Sequence, residues 1–198
     1  IASLAVVTGE KKEKYLFWQL EISMAHAKRI DLIVSFLMES GVKMLLPQLK
    51  QAQKRGVPIR ILTGNYLGIT QPSALYLLKN ELGNRVDMRF YNDKHRSFHP
   101  KAYIFHYENY EDIYIGSSNI SRSALTSGIE WNYRLNSQDN HKDFVLFYDT
   151  FQDLFENHSI IIDDNELKRY SKNWHKPAVS KDLARYDAVE DNSDTPVR

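Results

Sequence analysis

The sequence predicts an α/β fold in which a mixed β-sheet is flanked by helices on both faces. In its first half, segments with helical spacing of apolar residues alternate with short apolar runs, an order typical of strands connected by helices. Near the middle, two strand-like runs follow each other with only a short polar turn between them. Such a hairpin adds antiparallel strands to a sheet that the first half would make parallel.

The first half supplies three helices and three strands. Leu16, Leu20 and Met24 recur at helical spacing, so a helix is predicted over 13–28. A second helix is predicted over 40–55, and Pro47 within it predicts a kink or a break. The remaining predicted elements are strands over 31–36, 57–62 and 86–91 and a helix over 73–82.

The second half supplies the hairpin and a final helix. Polar residues 108–111 form a turn between the elements on either side. The predicted elements are strands over 101–107, 112–115 and 129–135, one helical turn over 121–126 and a helix over 142–156. Beyond Asn157 the pattern weakens, and 187–198 are polar and acidic. We therefore predict one domain over 1–157, with 158–198 as a C-terminal linker or tail.

The composition excludes several classes of protein. The chain has 198 residues, of which 42% are hydrophobic, so it can bury a core of ordinary size. It contains no Cys, which excludes disulfides and Cys-ligated zinc. The longest apolar runs, such as 32–38, are too short to cross a bilayer, and no signal peptide is visible. We expect a cytoplasmic protein with no membrane partner. Without a Gly-x-x-x-x-Gly-Lys-Ser/Thr loop, this chain is not an ATPase of that class.

The net charge of +1 conceals an asymmetry along the chain. Residues 1–101 contain 16 Lys and Arg against 8 Asp and Glu, whereas residues 102–198 contain 10 against 17. A basic half could bind a polyanion such as nucleic acid. The alternative is an ordinary solvated surface on which the two signs are mixed in space.

The chemistry is concentrated in two short stretches, "SFHPKAYIF" at 97–105 and "GSSN" at 116–119. Alternate residues of a strand project to the same side, so His99 and Lys101 would lie together. An ammonium group compensates phosphate charge and favours the neutral, nucleophilic imidazole. The partner strand of the hairpin would end beside them. There Gly116 allows close approach, Ser117 and backbone N–H groups can donate to an anion, and the Asn119 amide can hold a phosphoryl oxygen.

Further residues complete the predicted phosphate site. Glu130 begins the next strand and could accept an N–H from the histidine, which would fix its tautomer. We also assign substrate binding to Lys94, Arg96, Gly116 and Ser118. A lone histidine is as readily structural as catalytic. His26, in a second His-x-Lys sequence, is interpreted as structural because residues two apart on a helix point in nearly opposite directions.

The two stretches together resemble the His-x-Lys…Gly-Ser-x-Asn signature of the phospholipase D superfamily, and the resemblance covers roughly 15–157. It implies that His99 is the nucleophile of a phosphohistidine mechanism. Lys101 and Asn119 would stabilise the phosphoryl oxygens with support from Ser117, and Glu130 would orient the imidazole. It also implies no metal and no cofactor. The leaving oxygen needs a second histidine, so we predict a homodimer in which His99 of the second copy supplies it.

One position departs from the family pattern, because His106 stands where the family usually has Asp. The set of His99, Lys101, Asn119 and Glu130 is similar to the metal-independent restriction endonucleases of the superfamily. The stretch "LTGNYLGITQPSALYLL" also resembles nuclease-like domains fused to superfamily 2 helicases. These resemblances imply a DNA-cleaving module, with RNA as an alternative substrate, and a helicase region outside this chain.

Three other functions stay open at this point. A nucleic-acid-binding module without catalysis could use the same groove, with Arg89, Lys94 and Arg96 on phosphates. A phospholipid or small phosphodiester hydrolase is disfavoured by the absence of the family Asp. A metal-dependent nuclease would need clustered carboxylates, and pairs such as Asp163 and Asp164 follow the point where the core pattern ends.

Overall fold

Strands and helices alternate along the computed structural model, which describes residues 4–176. The strands are β1 (Val6–Val7), β2 (Arg29–Val34), β3 (Ile59–Thr63), β4 (Val86–Tyr91), β5 (Lys101–His106), β6 (Glu111–Gly116), β7 (Asn132–Asn136) and β8 (Ser159–Ile161). The helices are α1 (Leu16–His26), α2 (Glu39–Lys54), α3 (Pro72–Leu82), α4 (Arg122–Leu125), α5 (His141–Asn157) and α6 (Asp164–Asn173).

All of these strands belong to one mixed sheet of order β1-β7-β6-β5-β2-β3-β4-β8. β2, β3 and β4 are parallel to one another, and every other neighbouring pair is antiparallel. The parallel strands are joined by helical crossovers, whereas β5 and β6 form the hairpin that the polar turn predicted. β2 therefore lies at the boundary between the parallel and antiparallel halves.

Each face of the sheet is covered by helices. On one face, buried side chains of α1, α2, α3 and α6 form a core with residues such as Leu32, Ile61 and Tyr103. On the other face, α5 packs with Phe144, Phe151 and Phe155 against residues such as Ile33 and Ile104. Alternate residues of the central strands thus point into different cores, because side chains alternate across a strand. The predicted α/β fold with a mixed sheet and helices on both faces is confirmed.

Some element boundaries differ from the predicted ones. α1 begins at Leu16, after a short 3₁₀ turn over Lys12–Lys14, whereas the helix was predicted from residue 13. α2 continues past Pro47 without the predicted break. α5 begins at His141, one residue before the predicted start, where the side chain of Asn140 accepts a hydrogen bond from the N–H of Asp143.

The sheet continues beyond the predicted domain boundary at residue 157. β8 pairs with β4, and α6 buries Leu167 in the core, so the described part of 158–198 belongs to the domain rather than to a linker or tail. The sequence signal is weak here because β8 has three residues and Leu167 is the only buried residue of α6. The remainder of the predicted tail, 177–198, lies outside the described residues.

A buried ion network holds α5 on the sheet. Asp31 is fully buried, with its carboxylate 2.6 Å from Arg60 Nε and 2.8 Å from His106 Nε2. The Arg60 guanidinium lies 4.9 Å from the ring centres of both Phe151 and Phe155 on α5. Burial alone would raise the pKa of Asp31, but its hydrogen bonds to His106 and Arg60 outweigh burial and hold the pKa below its usual range.

None of the helices within 4–176 combines the length and apolar character needed to cross a membrane.

Candidate active site

The predicted site residues converge at one edge of the sheet. The carboxyl ends of β2, β3 and β4 meet the amino end of β5 there, because β5 runs antiparallel to β2. The carboxyl end of β6 lies at the same edge, and its last residue, Gly116, pairs with Asn132 at the start of β7. His99 therefore enters β5, Asn119 leaves β6, and Glu130 precedes β7 at a single edge. Ligands commonly bind at the carboxyl ends of parallel strands where the strand order changes direction.

His99 and Lys101 are directly connected. The Lys101 ammonium donates a hydrogen bond to the main-chain oxygen of His99 at 2.8 Å. The exposed imidazole meets the ring of Phe36 edge to face, with 6.3 Å between ring centres. Pro100, between the two, is tied to β2 because Ser35 Oγ donates to its carbonyl oxygen at 3.3 Å. The Lys101 ammonium is therefore held beside the main chain of His99.

Asn119 is fixed by β2 and by the start of α2. Its side-chain carbonyl accepts a hydrogen bond from the N–H of Phe36 at 3.0 Å, and the residue is buried. Met38 N–H bonds to the carbonyl of Ile120 at 2.9 Å, which continues this attachment. A side chain at Gly41 would lie 2.4 Å from the Ile120 backbone, so glycine lets α2 pack directly on the loop. These contacts hold the carbonyl end of the Asn119 amide in place.

Ser118, which we assigned to substrate binding, lies inside the loop after β6. The residue is fully buried, and its hydroxyl donates to the carbonyl of Ala124 at 3.0 Å. The same hydroxyl accepts from Asn132 Nδ2 at 2.9 Å, while the Ser118 carbonyl accepts from the Tyr103 hydroxyl at 2.8 Å. All these partners belong to the protein, so Ser118 shapes the loop from the inside.

Gly116 is also explained by protein packing. A Cβ at this position would lie 2.0 Å from the carbonyl oxygen of Trp131 and 2.5 Å from Asn132 Oδ1. The residue therefore allows β6 and β7 to approach each other at the end of the sheet. The structure shows close approach of the neighbouring strand at Gly116, and the substrate-binding role that we assigned to the residue stays a prediction.

Ser117 and Glu130 contact each other on the exposed rim of the site. The Ser117 hydroxyl donates to the Glu130 carboxylate and accepts from the N–H of Trp131 at 3.1 Å. Glu130 lies two residues before β7 rather than within the strand as predicted. The Ser117 hydroxyl thus fixes the carboxylate in place. Contact between Glu130 and the imidazole of His99 stays a prediction.

The other predicted substrate-binding residues lie on the connection from β4 to β5. Lys94 and Arg96 are exposed on this connection, at the same edge of the sheet as His99. Arg89 was a candidate for phosphate binding in a nucleic-acid-binding module without catalysis, but its side chain contacts other residues of the protein. Its guanidinium bonds to both carboxylate oxygens of Asp87 at 3.1 Å and lies over the ring of Phe155. Arg89 therefore stabilises the core.

His106, which stands where the family usually has Asp, lies far from His99 and Lys101. His106 is the last residue of β5, five residues from Lys101, or about 17 Å away along an extended strand. Its imidazole is engaged with Asp31 in the buried ion network. The residue thus holds the far end of the strand, and the polar groups around His99 are independent of it.

An apolar surface beside the site was missed by sequence reasoning. Ile129, Trp131 and Tyr133 are 71%, 73% and 57% exposed, and Phe147 on α5 is 47% exposed. A cavity of about 430 Å³ adjoins this surface, lined by His99, Lys101, Gly116 and apolar side chains of the sheet and α5. Alternation along a strand shows which residues share a face of the sheet, but it does not show which part of that face a helix leaves exposed.

Within residues 4–176, no cluster of three or more His, Asp or Glu side chains is arranged to hold a metal ion.

Comparison with known protein families identifies the chain. Residues 20–159 match the family described as "Cardiolipin synthase, PLD-like domain". This chain belongs to that family. The matched range includes both stretches of the candidate site, from His99 through Asn119 to Glu130. No curated protein matches the chain in sequence.

Several solved structures share this phospholipase D-like fold. NucT from Helicobacter pylori is 13% identical with a TM-score of 0.58, over 77% of this chain and 95% of that one. The archaeal chromatin protein TrmBL2 is 18% identical with a TM-score of 0.50, over 77% and 52% respectively. Phosphatidylserine synthase from Haemophilus influenzae is 13% identical with a TM-score of 0.56, over 85% and 43%. At these identities the likeness concerns the fold.

Proposed function

We propose that this phospholipase D-like domain hydrolyses phosphodiester bonds in nucleic acid, with His99 as nucleophile and without a divalent metal. The observation that carries the proposal is the meeting of His99, Lys101 and Asn119 at one edge of the sheet, with the Lys101 ammonium 2.8 Å from the His99 carbonyl. An ammonium and an amide placed beside a nucleophile supply the charge compensation that a metal provides in other nucleases.

The first step is in-line attack on phosphorus. An imidazole nitrogen of His99 forms a bond to phosphorus as the bond to the leaving oxygen breaks. Lys101 balances the charge of the phosphoryl oxygens and the Asn119 NH₂ group donates to one of them. Glu130 would accept a hydrogen bond from the N–H of the other imidazole nitrogen and so keep the attacking nitrogen unprotonated. The products are a phosphohistidine and an alkoxide, which needs one proton to leave as an alcohol.

The second step regenerates the histidine. A general acid gives its proton to the leaving oxygen in the first step, and the same group then removes a proton from water. The water oxygen bonds to phosphorus and the phosphorus–nitrogen bond breaks. We propose that His99 of a second copy is this acid and base, so that one phosphodiester lies between two facing histidines in a homodimer.

The apolar surface beside the site supports the dimer. Trp131 and Tyr133 are large, exposed and adjacent in the chain to Glu130, so a partner that covers them would also face His99. Aromatic side chains of this kind are enriched where protein surfaces bind each other. A second copy places its own His99 at the same interface, because a two-fold interface brings identical patches together.

We propose DNA as the substrate, with RNA as the alternative, in a restriction or DNA-processing module. The similarity of the His99, Lys101, Asn119 and Glu130 set to metal-independent restriction endonucleases supports this assignment. The stretch over 62–78 supports a helicase region elsewhere in the full-length protein. In the structure this stretch runs from the end of β3 through the following turn into α3.

Cleavage of labelled DNA in excess chelator tests the chemistry. We expect wild-type protein to cleave and His99→Ala to lose activity while it keeps its thermal melting temperature. His26→Ala is the matched control, since His26 lies on α1 with Nδ1 2.9 Å from the Ile22 carbonyl. Acid-labile ³²P on the protein after a rapid quench would identify the phosphohistidine. Complete loss of cleavage in chelator would contradict the metal-free mechanism.

Mixing of subunits tests the shared site. Wild-type and His99→Ala subunits, mixed in equal amounts at constant total protein and left to exchange, should retain about a quarter of wild-type activity, because only that share of dimers carries two histidines. Independent sites would retain about half. Retention of half the activity would contradict a site that needs both copies.

Binding of nucleic acid without cleavage is the second candidate. The exposed Lys94 and Arg96 favour it, and TrmBL2, which shares the fold, is described by a mode of DNA binding. DNA binding by the wild-type protein with no cleavage and no covalent phosphorus would support this candidate against the first.

A further inference from the structure

A second cleft opens at the same edge of the sheet, next to His99. It has a volume of about 400 Å³ and lies between the turn after β3, at Gly64–Tyr66, and the connection over 92–98 after β4. Its volume falls within the range of about 300–1,000 Å³ typical of small-molecule sites. It lies at the carboxyl ends of parallel strands, where bound ligands are common. The connection that forms one wall continues directly into His99.

The base of this cleft is rigid. Phe98 stacks on Tyr91 with 4.5 Å between ring centres and an angle of 16° between the planes. A Cβ at Gly64 would lie 3.3 Å from the Phe98 ring, so the β3 turn packs closely on it. Both aromatic residues are buried. The cleft is therefore built on packed side chains rather than formed by one exposed loop.

One wall of the cleft carries positive charge. Lys94, His95 and Arg96 are exposed, and no acidic side chain within 4–176 pairs with Lys94 or Arg96. The carboxylate of Asp93 is engaged in its own turn, where it accepts the N–H of His95 at 2.9 Å. Cations with this freedom suit the phosphate backbone of a nucleic acid.

The opposite wall presents an aromatic ring. Tyr66 is 62% exposed, on a turn in which Leu67 adopts a positive φ of 56°. A non-glycine residue in this conformation is strained, and it persists where the surroundings impose it. Here α6 and the segment after it impose it, since Tyr170 donates to the carbonyl of Thr70 and Trp174 donates to the carbonyl of Gly68. The fold thus holds an aromatic side chain out of the core.

We propose that this cleft binds the nucleotide adjacent to the cleaved phosphodiester, with its base stacked on Tyr66 and its phosphates near Lys94 and Arg96. The inference rests on the proposed function and adds the form of the substrate. A base within a duplex is covered on both faces by its neighbours, so stacking on Tyr66 requires an unpaired strand. The cleft therefore selects single-stranded over double-stranded nucleic acid.

Binding can be measured without cleavage. The probes are a fluorescein-labelled 12-nucleotide thymidine strand and a blunt 12-base-pair duplex, and fluorescence anisotropy gives Kd in the His99→Ala background of the full chain. We expect the single strand to bind more tightly than the duplex. Tyr66→Ala should weaken single-strand binding about tenfold and change duplex binding little. Tyr66→Trp should retain tight binding, because it preserves the stacking surface.

Control variants separate stacking from unrelated effects. Tyr76, a less exposed tyrosine on α3, is the matched control, and Tyr76→Ala should leave both Kd values unchanged. Arg96→Gln should make the slope of log K against log salt concentration shallower by about 0.7 for the single strand, because one phosphate contact is lost. Equal affinity for strand and duplex, or normal single-strand binding by Tyr66→Ala, would overturn the proposal.

The readouts also distinguish this inference from the proposed function. If wild-type protein fails to cleave but single-strand binding still depends on Tyr66, hydrolysis is rejected and the cleft is supported. If wild-type protein cleaves duplex and single strand equally and Tyr66→Ala has no effect, the cleft is rejected and hydrolysis is supported.

Discussion

The side-chain carbonyl of Asn119 accepts a hydrogen bond from the main-chain N–H of Phe36 at 3.0 Å, across 83 residues of sequence. This contact joins the loop after β6 to the carboxyl end of β2. It also assigns the two ends of the amide, since the oxygen is held by the protein and the NH₂ group is the donor end. The orientation of one candidate catalytic group therefore depends on the sheet topology.

Asn119→Asp separates the structural contact from the chemistry. Aspartate has nearly the same shape and can still accept from Phe36, but it replaces a donor with an acceptor beside a phosphate. We expect a loss of kcat of about a hundredfold or more with little change in Tm. Asn119→Ala should lower both kcat and Tm. Full activity in Asn119→Asp would show that the NH₂ group has no role in the reaction.

Lys101→Met tests the role of the ammonium. Methionine keeps an unbranched apolar stem but cannot compensate phosphate charge, so kcat should fall about a hundredfold or more. Lys54→Met is the matched control, because Lys54 is exposed at the end of α2, and it should be fully active. A rise in KM with an unchanged kcat would instead place Lys101 in substrate binding alone.

Trp131→Glu tests the dimer. A charge on the apolar surface should prevent association, and sedimentation should show monomers with a folded circular dichroism spectrum. Cleavage should be lost with the dimer if the second histidine is needed. The control is Tyr76→Glu, which changes an exposed aromatic residue on α3. A monomeric Trp131→Glu protein that cleaves at the wild-type rate would contradict the shared site.

The ion network around Asp31 predicts how stability depends on pH. The folded-state pKa of Asp31 is below its usual value, so its contribution to stability is complete above about pH 4 and is lost as the pH falls through the folded-state value. Asp31→Asn should cost about 3–5 kcal/mol near pH 7, because Arg60 stays buried without its partner. Urea unfolding at pH 7 and pH 3 measures both effects.

The variant should also lose less stability than wild-type protein between these two pH values. Asp164→Asn is the control for this comparison. The Asp164 carboxylate is exposed and pairs with Lys79 at 2.7 Å, so its replacement should leave the unfolding curve nearly unchanged. A pH dependence in Asp31→Asn equal to that of wild-type protein would show that the acid sensitivity arises elsewhere.

The sequence carried enough information for the fold class and for the strand-borne part of the site. Helical spacing and apolar runs predicted the sheet with helices on both faces, and the hairpin brought together the strands that begin at Lys101 and end at Gly116. This works because alternation along a strand and the register of a hairpin are local properties. The strands that escaped notice, β1 and β8, have two and three residues and present no such pattern.

The rest of the site depends on contacts between distant segments. Ser118 was assigned to the substrate because serine in a small-residue turn can bind anions, yet Tyr103, Ala124 and Asn132 occupy its polar groups. The cleft beside Tyr66 joins two connections more than twenty residues apart. Such proximity follows from the order of β3 and β4 in the sheet, which periodicity alone does not determine.

The pairing of His106 with Asp31 has a consequence for how related sequences are found. The acid usually expected on β5 is replaced by a histidine, and its carboxylate partner stands on the neighbouring strand. A search pattern that demands an acid five positions after the lysine would pass over chains of this kind. A pattern that instead accepts a histidine there, together with an acid on the strand before the first crossover helix, would collect them as a separate group.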